Sequence, residues 1–94
     1  MATARRKRVD LIDDDPAVLD SLGLYLESKG FEVRCLPSAD AFVRQFEGEP
    51  PDCVVADVRM PGMTGLQLQN WLLRKGSPAP LVLITGHGDM DLAI

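Results

Sequence analysis

Short apolar runs and helical apolar stripes alternate along this chain. Val9 to Ile12 reads as a strand with Asp10 as its one polar interruption, ending at Asp13-Asp14-Asp15-Pro16. Beyond it Val18, Leu22, Tyr25 and Leu26 recur at helical spacing, with Asp15 as N-cap, Pro16 at the first helical position and Gly30 after Lys29 as the stop. Phe31 to Leu36 predicts a second strand, and Ala39, Phe42, Val43 and Phe46 a short second helix that Gly48-Glu49-Pro50-Pro51 breaks. Cys53 to Ala56 is apolar without alternation, as in a strand covered on both faces. Thr64 and Gln67 stand at capping-box spacing ahead of a third helix through Leu68, Trp71 and Leu72, closed by Lys75-Gly76. Leu81 to Ile84 is a fourth apolar strand, and Met90 to Ile94, after Thr85-Gly86-His87-Gly88-Asp89, reads as the start of a further helix.

Strands alternating with helices predict an α/β fold with a doubly wound parallel sheet, because a right-handed crossover carries each helix over the sheet before the next parallel strand pairs. In such sheets functional groups collect outside the carboxyl ends of the strands, near the point where strand order reverses. Those ends carry Asp13 and Asp14 after the first strand, Asp57 after the third and Thr85 after the fourth. If strands one, three and four are neighbours, all four side chains share one rim.

Carboxylates held a few ångströms apart repel by about 4 kcal/mol per pair at ~4 Å and an effective dielectric near 20. Either raised pKa values keep protons in place or a cation binds, and an oxygen-only set favours a hard ion such as Mg2+, a common partner of phosphate oxygens. A carboxylate is also a competent nucleophile toward a phosphoryl group. Taken singly, Asp13, Asp14 and Asp57 read as turn residues or acids that complement a helix dipole, and Asp52 and Asp15 as a turn residue and a cap. It is the joint placement at several strand ends that points to a site.

Composition narrows the class. The chain has 94 residues, 46% hydrophobic and 26% charged, which suits one ordinary globular domain. The net charge is -4, yet Arg5 to Arg8 form a basic run. With no aromatic residues interleaved, that run reads as a solvated tail over residues 1–8 rather than a nucleic-acid arm. No run approaches the ~18 apolar residues of a membrane span, and MATARRKR lacks a secretory apolar core, so the expected compartment is the cytoplasm. Cys35 and Cys53 lack metal-ligand spacing and are expected as reduced thiols buried beside strands. No G-x-G-x-x-G follows the first strand, which argues against a dinucleotide site. His87, between two glycines, reads as a loop residue, and Trp71 and the phenylalanines as core or helix-face residues.

LIDDDPAV, DVRMPGMTG and LVLITGHGD, in this order and at these separations, resemble the receiver domain of two-component response regulators, over essentially Val9 to Ile94. The GHGD and SADAF segments look most like receivers of the FixJ type, or of related transcription-activator types. The resemblance implies a flavodoxin-like sheet of strand order 2-1-3-4. It implies that Asp57 accepts a phosphoryl group from a histidine kinase, that Asp13 and Asp14 hold Mg2+, one of them through water, and that the backbone carbonyl of Arg59 is a further ligand. Thr85 matches the switch hydroxyl, and Pro61 and Gly65 match residues that shape the loop beneath the site. Control of transcription through a DNA-binding output domain outside this chain is also implied.

A full receiver continues through a fourth helix, a fifth strand and a fifth helix. The lysine after that fifth strand, which contacts the phosphoryl group, has no counterpart here, and Lys75 cannot stand in for it. The expectation is therefore an incomplete receiver over residues 9–94, or a partner in a homodimer or exchanged dimer, with Mg2+ binding better preserved than phosphorylation. Two other readings stay open: a receiver-like interaction module that is never phosphorylated, and a Mg2+-dependent phosphatase or phosphotransferase using Asp57 as nucleophile.

Overall fold

The structure, a computed structural model, describes residues 6–46 and 48–84. Among the described residues four strands and three helices alternate: β1 (Arg8–Ile12), α1 (Pro16–Ser28), β2 (Glu32–Leu36), α2 (Ala39–Gln45), β3 (Cys53–Asp57), α3 (Gly65–Lys75) and β4 (Leu81–Ile84). The strands form one parallel sheet in the order β2-β1-β3-β4, so the order reverses between β1 and β3. The element boundaries follow local chemistry. Asp15 is the N-cap of α1, its carboxylate accepting from the Ala17 amide at 2.9 Å, with Pro16 next. Ser38 caps α2 through the Ala41 amide. Thr64 and Gln67 close a reciprocal capping box on α3, and Gly76, at φ 67°, ends it in the left-handed conformation that costs glycine least.

Alternation along the strands assigns the two faces. Ile12, Leu36, Val54 and Ala56 join Phe42 of α2 and Leu68 and Leu72 of α3 in one buried core, with Trp71 edge-on to both Phe42 and Phe46. On the opposite face α1 lies against β2 and β1. Its buried residue there is Gly23, where a Cβ would stand 3.3 Å from Cys35 Sγ.

Four expectations change. Tyr25, read as part of the buried stripe of α1, is 56% exposed, because close packing at Gly23 turns that flank of the helix outward. Cys35 is exposed, since β2 is an edge of the described sheet, and Cys53, the first residue of β3, is only half-buried; both are free thiols. Arg8, read as the end of a solvated tail, is the first residue of β1. Its amide donates to Asp52 Oδ2 at 2.7 Å, and its guanidinium to the Glu49 carbonyl at 3.1 Å. Asp10, read as a polar interruption, is fully buried and bonded to Arg34 across the strand pair at 2.7 Å.

Candidate functional site

Strand register builds the site. Ile12 pairs with Ala56, so the residues that follow, Asp13 and Asp57, stand side by side at the carboxyl ends of adjacent strands. Period-two alternation sends both away from the Phe42 core. Asp13 and Asp57 are each 1% exposed, and Asp14 is exposed at the rim. One carboxylate oxygen from each of Asp13, Asp14 and Asp57 lies within 4.8 Å of the others.

Short backbone contacts fix these groups. Asp13 Oδ1 accepts from the Asp15 amide at 2.9 Å, the turn that leads into the α1 cap. Asp57 Oδ1 accepts from the Arg59 amide at 3.1 Å. Gly65 opens α3 directly against the end of β3: a Cβ there would fall 2.6 Å from the Asp57 carbonyl oxygen and 2.8 Å from Leu83 Cδ2. Only a residue without a side chain allows that approach. Met60 is buried in the core, anchoring the loop that follows Asp57.

Burial pushes the Asp13 carboxyl above its ordinary range. The Asp15 amide pulls it back down, and the charges of Asp57, Asp14 and Asp15 push it up further. Asp13 Oδ2 is buried and accepts no hydrogen bond among the described residues. A crowded all-oxygen set with a buried, unsatisfied acceptor fits a hard divalent cation, which would answer both the repulsion and the missing partner.

Asp13, Asp14 and Asp57 are thus brought together as the sequence suggests. Arg59 lies in the adjoining loop, while Thr85, Gly86 to Asp89 and His87 lie outside the described residues. One residue beside the site escaped the sequence reading. Asp40, in the first turn of α2, reaches the loop after Asp57, and its Oδ2 accepts from the Met63 amide at 3.3 Å. An acid in the first turn of a helix reads locally as dipole complementation, and nothing in the sequence signals so distant a partner.

Residues 9–94 match the response regulator receiver domain family. The transcriptional regulatory protein FixJ of Bradyrhizobium diazoefficiens is 45% identical over 84 residues, covering 89% of this chain and 41% of the relative. Full-length FixJ from B. japonicum, a crystal structure, is similar with a TM-score of 0.81 at 42% identity, over 92% of this chain and 42% of that one. The response regulator TrrA of Thermotoga maritima, solved in complex with Mg2+-BeF, gives a TM-score of 0.79 at 27% identity, over 87% of this chain and 71% of that one. The chain spans less than half the length of its FixJ relative. Strand order, acidic rim and these likenesses converge: the chain belongs to the response regulator receiver domain family and is FixJ-like within it.

Proposed function

We propose that this chain is the phosphoacceptor receiver of a two-component response regulator, in which Asp57 takes a phosphoryl group from the phosphohistidine of a sensor kinase and later loses it slowly to water. The observation that carries this reading is the meeting of Asp13, Asp14 and Asp57 within 4.8 Å at the ends of two adjacent strands. A carboxylate oxygen of Asp57 bonds to phosphorus while the phosphorus–nitrogen bond breaks. The imidazole departs neutral where its other nitrogen already carries a proton. The Arg59 amide on Asp57 Oδ1 restricts rotation of the carboxylate, which favours one direction of attack.

Asp13, Asp14, Asp57 and the Arg59 carbonyl are the residues that would hold Mg2+, which supplies charge neutralisation and alignment for the transferring phosphoryl group. The buried Asp13 oxygen supports that assignment, as does the likeness to TrrA with Mg2+-BeF. By resemblance Thr85 is the hydroxyl that turns to the phosphoryl oxygens, converting local charge into a change of surface. Residues 9–94 act as this module, in the cytoplasm, as a signalling protein rather than an enzyme with a separate substrate. The name of the FixJ relative supports transcription control through an output domain outside this chain.

Intact-mass measurement after incubation with acetyl phosphate and Mg2+ tests the reading. The parent protein gains one phosphoryl mass, and Asp57→Asn gains none. Labelling that persists in Asp57→Asn moves the acceptor elsewhere, and no labelling of the full-length protein leaves a non-phosphorylated interaction module.

A further inference from the structure

The loop from Val58 to Thr64 is held at both ends and once between them: the Val58 amide donates to the Ile84 carbonyl at 2.9 Å and the Thr64 amide to Gln67 Oε1 at 2.9 Å. At its start the Arg59 amide donates to Asp57 Oδ1 at 3.1 Å, and at its end the Gly65 amide donates to the Val58 carbonyl at 3.1 Å. The tie between the ends comes from α2: Asp40 Oδ2 accepts from the Met63 amide at 3.3 Å. Asp40 belongs to α2, which packs its buried Ala39, Ala41 and Phe42 into the core, so its backbone is a rigid support.

Gly62 carries a second, independent trace of the same contact. Its φ is 77°, and a Cβ added there would fall 2.6 Å from Asp40 Oδ2. The loop therefore turns over the carboxylate, with the glycine giving up its side-chain volume to Asp40. Met60, buried on the core side, anchors the stretch before Gly62. Between Met60 and Met63 the loop has Asp40 as its outside support.

We infer that Asp40 is a positioning residue for the phosphoacceptor site: through the Met63 amide and Gly62 it sets the path of the loop, and so the place of the Arg59 backbone beside Asp57. This rests on the proposed reading of the site. Asp40 touches no reacting atom. Its influence runs through a neutral acceptor geometry, so an amide oxygen at the same place serves nearly as well as a carboxylate oxygen, and a methyl group does not.

The test compares the full chain with Asp40→Asn, Asp40→Ala and Asp40→Ser, measuring Mg2+ affinity and the rate of acetyl phosphate labelling beside the thermal midpoint of each. Asp40→Ala weakens Mg2+ binding about tenfold, in the range seen when a support behind metal ligands is lost. Asp40→Asn stays within about threefold of the parent because its oxygen keeps the bond. Asp40→Ser, whose hydroxyl is too short to reach, behaves as Asp40→Ala and serves where that variant is poorly folded. Gly62→Ala weakens binding in the parent background more than in Asp40→Ala, since truncating Asp40 removes the 2.6 Å clash. Mg2+ affinity of folded Asp40→Ala within twofold of the parent overturns the inference, as does an equal loss in Asp40→Asn. A parent chain that binds no Mg2+ overturns instead the reading of the site.

Discussion

Asp13 sets burial against charge within a single side chain. It is 1% exposed, it stands in a set of carboxylates, and one of its oxygens accepts no hydrogen bond among the described residues. Its carboxyl titrates above the ordinary value of 3.8, first because of burial, with the Asp15 amide opposing and the neighbouring acids assisting. Between the ordinary and the raised value the native chain holds more protons than the unfolded chain. Stability from this group is therefore fully present below 3.8 and is lost as pH rises through the raised value. At neutral pH and without divalent cation the ionised group works against folding. Asp13→Asn is accordingly expected to stabilise the metal-free protein at pH 7 by about 1 kcal/mol, the lower end for relieving a buried unsatisfied acceptor. The gain shrinks toward acid pH. Urea titrations at pH 7 and near pH 4 check both the sign and the trend, and a destabilised mutant at pH 7 would contradict this account of the group.

At the scale of elements, β1 and β2 are joined by more than their ladder. Asp10 is completely buried and meets Arg34 at 2.7 Å and Arg8 Nε at 3.5 Å, whereas the two arginine side chains remain 37% and 30% exposed. The pair is therefore asymmetric. Arg34→Ala leaves a carboxylate that cannot reach water with one long contact to Arg8, and a cost of about 3 kcal/mol is expected. Asp10→Val removes the buried charge while both guanidinium groups can turn to solvent, and about 1 kcal/mol is expected. Chemical denaturation of the two variants gives the order, and a larger loss for Asp10→Val would show that the arginines depend on Asp10. Interactions of this kind were hidden from the sequence. The four strands, three helices and their caps were legible because each rests on local patterns, such as Asp15-Pro16, the Thr64 and Gln67 pair, and the unbroken runs of β3 and β4. The Asp10–Arg34 pair, the exposure of Cys35 and the outward turn of Tyr25 depend on which strand lies at an edge and where α1 comes closest.

For the whole molecule, the acidic site was legible for a related reason: strand ends are local features, and parallel topology brings them together. Asp40 was not, because its partner is reached only when α2 and the loop after β3 have docked. The same topology makes the site a probe of global stability. Asp13 and Asp14 follow β1 and Asp57 ends β3, so an ion bound by all three joins segments that separate on unfolding. The unfolded chain has no such set, and binding to the native state alone adds RT ln(1 + [Mg2+]/Kd), about 2.7 kcal/mol at one hundred times Kd. Thermal and urea midpoints of the full chain are therefore expected to rise with Mg2+ and to keep rising logarithmically beyond Kd, with Na+ at equal ionic strength giving no comparable rise. Asp14 is exposed, so Asp14→Ala should leave the metal-free midpoint nearly unchanged while flattening the Mg2+ dependence. If Mg2+ and Na+ shifted the midpoint equally, the effect would be screening of the net charge of -4, and the three carboxylates would then be neighbours without a shared ligand.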